Sequence, residues 1–319
     1  EFCRAQTPAS IRAAVLVQKE HDRGVRPAVD YVGLKVPDRY VFGYGMDYKG
    51  YWRNASGIYA VTESSQEAGT MRALGIIGGS GLCQLDALQI ERHESFETPY
   101  GEPSAPLVFG RLDGASVVFL PRHGPAHTIP PHCVNYRANL WAMKQAGVEH
   151  VIGMAAVGGI SAAMGPGMLC VPDQVIDYTW GREHTLYEGH LDGVTHIDFT
   201  QPYCSNMRRL LTEAAAGAGI DVLDGGTYGA TQGPRLESSA EIARMQSDGC
   251  DIVGMTGMPE TALARELGLC YASLALSVNW AAGKSAGPIT MDEIGSQLEQ
   301  GMVRAVEVLA AIGPHAQGR

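Results

Sequence analysis

Three short stretches hold side chains suited to gripping an anion. Gly75-Ile76-Ile77-Gly78-Gly79-Ser80-Gly81-Leu82 runs two β-branched residues into a glycine cluster with one serine. That pattern predicts a buried strand ending in a tight turn, where backbone amides and the Ser80 hydroxyl form a concave nest. Pro121-Arg122-His123-Gly124-Pro125-Ala126-His127 supplies a guanidinium fork beside an imidazole, donors that match phosphate. Ile252-Val253-Gly254-Met255-Thr256-Gly257-Met258-Pro259-Glu260 reads as a strand opening into a helix, with the Thr256 hydroxyl available to an anion and Met255 offering a soft apolar face to a sugar. Ala155-Ala156-Val157-Gly158-Gly159-Ile160 also follows a strand, and its small residues allow close approach of a ligand.

Two other chemistries compete for these residues. A metal site would join His123, His127 and His132, but Gly124, Pro125, Pro130 and Pro131 rule out the helix that such spacing needs. A dinucleotide fingerprint fits poorly, because Gly78-Gly79-Ser80-Gly81 lacks the G-x-G-x-x-G spacing. No metal and no resident cofactor is expected.

The elements that must position these groups are legible in the periodicity. Residues 116–120, 151–154, 168–171, 226–231, 252–255 and 270–278 read as strands. Residues 135–146, 204–218, 238–248, 259–267 and 290–312 read as helices, the last opened by the capping box Thr290-Met291-Asp292-Glu293. This alternation predicts an α/β fold with a mixed, mostly parallel central sheet flanked by helices, and a site at the strand ends.

Composition narrows the function. The net charge of -10 over 319 residues disfavours a nucleic-acid binder, which needs clustered Lys and Arg. No apolar run is long enough to cross a bilayer and no signal peptide is visible, so a cytoplasmic protein is expected. The seven Cys are scattered without a C-x-x-C pair and read as free thiols packed as small hydrophobes in a reducing compartment.

The chain before the glycine turn has a different character. Tyr31–Val36 and Tyr40–Tyr44 read as strands, Ala13–Val17 is a short apolar run, and residues 62–71 form a polar linker ending at Met71. The stretch from Val29 to Tyr48 resembles the C-terminal end of a hypoxanthine phosphoribosyltransferase, with Tyr40, Asp47 and Arg53 matching residues near base and pyrophosphate. The ribose-phosphate loop of that family is absent, so residues 1–61 are expected to be a truncated, non-functional tail. The natural enzyme is expected to begin near Met71, and residues 72–319 to form the catalytic domain.

Several motifs in order give the second region its own resemblance: G-I-I-G-G-S-G-L, R-H-G-x-x-H-T, V-N-Y-R-A-N-L-W (Val134–Trp141), H-I-D-F-T-Q-P-Y-C (His196–Cys204), T-Q-G-P-R-L-E and G-M-T-G-M-P-E. Across residues 74–312 they resemble the trimeric purine nucleoside phosphorylases, within them the methylthioadenosine phosphorylase branch. The resemblance implies that Ser80, Arg122, His123, Ala156 and Thr256 hold phosphate and that Met255 lies along the ribose. It implies further that His127 and Asn135 to Asn139 support the phosphate wall or a subunit contact, and that His196 reaches a neighbouring subunit's pocket in a homotrimer.

One departure sets the base. Where that branch carries an Asp, and a second two positions on, this chain has Asn279 and Ala281. An amide donates to the carbonyl of a 6-oxopurine, which an ionised Asp would repel. Glu237, beside Leu236 at the base pocket, is placed to accept the N1–H that 6-oxopurines have and adenine lacks. Ile289 and Met291 replace the His that 6-oxo nucleoside phosphorylases place near the 5'-hydroxyl, and would line an apolar hole. The whole resembles the branch that cleaves S-methyl-5'-thioinosine with phosphate, giving hypoxanthine and 5-methylthioribose 1-phosphate, with Asn279 and Glu237 as the catalytic pair. Phosphate is a co-substrate in that reaction. Cleavage of inosine or guanosine, cleavage of methylthioadenosine, and non-catalytic nucleoside binding are the competing readings.

Overall fold

The computed structural model describes residues 12–20, 29–37, 41–42, 59–60, 73–79, 88–188 and 194–316. The chain divides into two compact units, Glu1–Ala68 and Gly69–Arg319. In the first, β1 (Ala14–Glu20) pairs in parallel with β2 (Tyr31–Pro37), and β3 (Val41–Phe42) pairs antiparallel with β4 (Tyr59–Ala60). Tyr40, Asp47 and Arg53, the residues matched to the phosphoribosyltransferase tail, and the expected linker at 62–71 lie outside the described residues.

The second unit is organised around β9 (His150–Gly159), whose burial on both faces suits a central strand. Its first half pairs in parallel with β5 (Leu74–Gly78), its full length pairs in parallel with β15 (Cys270–Trp280), and its last residues pair antiparallel with β14 (Ile252–Gly254). On one side the sheet continues through β8 (Ala115–Pro121), β7 (Leu107–Leu112) and β6 (Leu88–Glu94). On the other it continues through β13 (Thr227–Ala230) and β11 (Gln174–Asp177). A short branch adds β10 (Leu169–Val171), which pairs with β15 and with β12 (Val222–Asp224). The sheet is mixed: β5–β8, β5–β9, β9–β15, β11–β13, β13–β14 and β10–β12 are parallel, and the outer β6–β7–β8 meander is antiparallel.

Strand residues alternate between two cores, as the pleat requires. Ile76, Phe119 and Leu274 face a cluster closed by α2 (Ser205–Gly217) and α5 (Met291–Ala316), through Met207, Leu211, Ala305 and Leu309. Ile77, Leu120 and Val151 face the opposite cluster, closed by α1 (Tyr136–Gln145) and α4 (Gly257–Glu266), through Leu140, Met143 and Leu263. Helix α3 (Ser239–Ser247) packs Ile242 and Met245 against Ile160 and Val253. Its capping box, formed by Ser238 and Glu241, is complete, whereas the expected box at the start of α5 shows the Thr290 hydroxyl accepting from the Glu293 amide at 3.3 Å. Asn135 caps α1 by accepting from the Ala138 amide, and buried Asn139 holds the backbone and hydroxyl of Ser104. These two residues thus build the support of the neighbouring loop.

The reading of all cysteines as free thiols is corrected. Cys204 and Cys270, 66 residues apart, form a disulfide with their Cα atoms 5.1 Å apart. The Cys204 amide donates to the Tyr271 carbonyl at 2.7 Å, which ties the residue before α2 to the start of β15 and brings the two sulfurs together. Cys133, Cys170 and Cys250 are free. No described helix is long and apolar enough to cross a membrane.

Candidate active site

A cleft of about 400 Å³ opens where several strands end. The segments after β8 and β14 and the ends of β9 and β15 supply its walls, together with the loop after β13 and residues before and within α5. Its lining is mostly apolar, and among the described lining residues Glu237 is the only acid and there is no Lys or Arg.

His123 and His127 come from the loop after β8. The Arg122 amide still pairs with the Gly78 carbonyl at 2.8 Å, so the loop leaves directly from the β5–β8 ladder. It then closes on itself, with Gly124 at φ +78° and His127 at φ +53°, a left-handed conformation uncommon for a side-chain-bearing residue. The two imidazoles lie 4.7 Å apart between ring centroids. His123 Nδ1 is 2.8 Å from the Ile129 carbonyl. A carbonyl only accepts, so Nδ1 carries the hydrogen. Burial, with Arg122 next to it, lowers the His123 pKa to about 4. The ring is therefore neutral near pH 7 and Nε2 keeps a lone pair.

This burial has a measurable consequence. The unfolded chain binds a proton at His123 near the ordinary value of 6.5, and the folded chain does so only near 4. Stability therefore falls as pH drops through that window. His123→Asn, which keeps a donor for Ile129, is expected to flatten the decline of the unfolding midpoint between those limits by up to one proton's worth of slope. An identical slope in wild type and variant would refute it.

Arg122 does not line the cleft. It is 2% exposed, behind the wall, where Nε and Nη2 grip Glu260 at 2.6 and 2.8 Å. Nη1 donates to the Met154 carbonyl and Nη2 also to Ile77. Glu260 is fixed from its other side by the Tyr271 hydroxyl at 2.7 Å, and Gly153 leaves the room that this network fills. Four of five N–H groups are thus spent on the protein, and the direct phosphate contact expected from sequence narrows to one remaining Nη1 hydrogen. Removing either partner would strand a buried charge, at a cost of about 3–5 kcal/mol.

Ala156, near the end of β9, faces the cleft. Met255 and Thr256 follow β14. Thr256 occupies the N-cap position of α4 but makes no side-chain cap bond, so its hydroxyl is not consumed there. Met258 is extended, as a residue before proline prefers, and regular helix starts at Pro259. Ser80 lies outside the described residues.

The other wall carries the base-recognition candidates. The β9–β15 register slips between Ser277 and Asn279, and this bulge lets the consecutive Val278 and Asn279 both line the cleft. One Asn279 amide hydrogen goes to the Trp280 carbonyl at 2.7 Å, and the second is available. Glu237 and Leu236 line the cleft from the loop after β13. The Thr231 hydroxyl donates to a Glu237 oxygen at 2.6 Å, which leaves the other oxygen to face a ligand. Thr231 belongs to the T-Q-G-P-R-L-E motif, yet its orienting role was invisible before the loop folded back.

Ile289 lines the cleft as expected, but Met291 does not. Met291 opens α5 and is 64% exposed, and Ile294, one turn along on the inner face, takes the place assigned to it. His196 is exposed and takes no part in this chain's own cleft. Among the described residues, no three His, Cys, Asp or Glu side chains stand close enough to share a metal ion.

The chain is similar to several known nucleoside phosphorylases. The chain is 54% identical over 242 residues to a probable S-methyl-5'-thioinosine phosphorylase of Pseudomonas syringae pv. tomato, covering 76% of this chain and 98% of that one. It is 44% identical over 241 residues to a probable 6-oxopurine nucleoside phosphorylase of Dictyoglomus turgidum, covering 76% and 90%. Its fold matches the methylthioadenosine phosphorylase of Schistosoma mansoni in complex with adenine, with a TM-score of 0.72 and 35% identity over 76% of this chain and 91% of that one. The phosphorylase superfamily profile matches residues 73–312, most of the chain, and the chain belongs to that superfamily.

Proposed function

We propose that the protein is a pentosyltransferase that cleaves S-methyl-5'-thioinosine with phosphate, releasing hypoxanthine and 5-methylthioribose 1-phosphate in purine and methylthio salvage. The observation that carries this reading is the pairing of Asn279 and Glu237 in a cleft that also holds His123, Ala156 and Thr256. A donor amide and an accepting carboxylate complement the C6 carbonyl and N1–H of hypoxanthine, and adenine presents the opposite pattern at both atoms.

The chemistry follows from that complementarity. A phosphate oxygen forms the bond to the anomeric carbon as the bond to purine N9 breaks, and its electron pair moves onto the base. Negative charge grows on the purine, so the Asn279 donor bond strengthens toward the transition state, which is where binding accelerates reaction. Glu237 fixes the base through N1–H. The Thr256 hydroxyl and, as the family resemblance implies, Ser80 donate to phosphate. His123, neutral with Nδ1–H turned to Ile129, accepts through Nε2 the hydroxyl of a protonated phosphate. Arg122 supports this wall from behind, Met255 lies along the sugar, and Ile289 and Ile294 supply the apolar surface for a methylthio group.

Phosphate-dependent release of free base from methylthioinosine, inosine and methylthioadenosine tests the reading. Preference for methylthioinosine is the expected result. Preference for inosine would discard the apolar 5' pocket, and preference for methylthioadenosine would discard the assignment of Asn279. Absence of phosphate-dependent turnover would leave a nucleoside-binding protein.

We further propose a homotrimer in which His196 completes a neighbouring subunit's cleft. Its exposure outside this chain's own cleft supports that arrangement, and sedimentation mass together with loss of nucleoside affinity in His196→Ala would test it. The cytoplasm, where nucleosides and phosphate are both supplied, is the proposed compartment.

A further inference from the structure

Arg182 lies between β11 and α2, outside the motifs that pointed to the cleft. It is 8% exposed, and no carboxylate among the described residues pairs with it. Its N–H groups go instead to two separate segments. Nη2 donates to the carbonyls of Thr231 and Gln232 at 3.1 and 2.7 Å, and Nε to the Gln232 side-chain oxygen at 3.2 Å. Nη1 donates to the carbonyls of Met255 and Met258 at 2.8 and 2.6 Å. The Tyr136 hydroxyl lies 3.3 Å from Nη1, and its ring centroid is 5.6 Å from the guanidinium carbon.

A buried cation without a counter-ion is costly, so a set of convergent carbonyls must hold it. The two segments it joins do different work. Thr231 orients Glu237, and the segment from Met255 to Met258 brings Met255 and Thr256 to the cleft, where the proposed function puts sugar and phosphate. The geometry points to Arg182 as a positioning residue that sets the distance between the base-recognising loop and the loop holding ribose and phosphate. Each loop binds its own part of the substrates, but attack at the anomeric carbon needs both in register, and a misplacement near 1 Å costs about 100-fold in rate. The planar fork suits this bridging, and a lysine has neither the fork nor enough donors.

Arg182→Lys tests the idea, because it keeps the charge and loses the fork. The expected result is a fall in kcat of about tenfold or more, with KM for nucleoside and for phosphate each within about threefold of wild type. Unchanged kcat beside a lowered unfolding midpoint would overturn the inference, since the contact would then serve stability alone. A rise in one KM at constant kcat would also overturn it, because Arg182 would then serve a single loop. If Arg182→Lys does not fold, Gln232→Ala removes the side-chain acceptor of Nε and leaves both backbone segments. The same split at smaller size is expected there, and unchanged kcat would be refuting. The inference rests on phosphorolysis by this cleft. Failure of that reading would appear as wild-type protein without phosphate-dependent turnover and would overturn both, whereas failure of the inference alone appears only in the variant's kinetics.

Discussion

Asn279→Asp is expected to convert a 6-oxopurine enzyme toward 6-aminopurine nucleosides. The residue sits on the β15 bulge with one amide hydrogen on the Trp280 carbonyl and the other available to the base. A carboxylate in this place has no hydrogen for either partner while ionised, and it would meet both the Trp280 carbonyl and the purine C6 oxygen with repulsion. Beside adenine, N7 and the Trp280 carbonyl favour the protonated acid, which would give its one hydrogen to N7 and accept from the amino group with its other oxygen. The kcat/KM for methylthioinosine should fall about 100-fold or more, the size expected when a buried polar pair is mismatched. Turnover of methylthioadenosine should rise at the same time. Initial rates on the two substrates, wild type against variant, give the answer directly. An unchanged ratio between them would show that Asn279 does not read the base.

How far this site was legible depends on the range of the interactions that build it. The resemblance to the nucleoside phosphorylases assigned His123, Ala156, Met255, Thr256, Glu237, Leu236, Asn279 and Ile289 to one site, and the structure brings them to one cleft, at strand ends or in the segments that follow them. Strand β6 was not legible: all but its first residue are exposed, and its Arg, His and Glu residues give no apolar alternation. Strands β11 and β12 are too short to show a period. The pairing of Arg122 with Glu260 joins two recognised motifs 138 residues apart, so sequence displayed both charges without showing that they neutralise each other. That pairing changes Arg122 from a lining residue to a support. Arg182 had no local signal, since what defines it is a set of backbone carbonyls, and every residue type offers a carbonyl. The disulfide was missed for the same reason: Cys204 and Cys270 lack a motif spacing and meet only because the residue before α2 pairs with β15.

Glu237→Gln should produce the second large loss, and its pattern across substrates separates base recognition from general support of the cleft. In the wild type the Thr231 hydroxyl donates to one carboxylate oxygen, so the side chain is held as an acceptor with its other oxygen free. An amide can satisfy Thr231 through its oxygen, but then it turns an N–H toward the N1–H of hypoxanthine. Two donors face each other and neither is satisfied. The expected fall in kcat/KM for methylthioinosine is about 100- to 1000-fold, combining a lost charge-assisted bond with a stranded donor. Methylthioadenosine carries a lone pair at N1, so the same amide meets an acceptor and its low wild-type turnover should hold or improve. A carboxylate needed only to brace the loop would give a different result, since Gln would preserve the Thr231 bond and both substrates would change together. Thr231→Val completes the argument from the other side. It leaves the Glu237 charge in place but removes its anchor, and the loss should be about tenfold, confined to 6-oxopurine substrates, with the unfolding midpoint reporting separately on the cost of the buried hydroxyl.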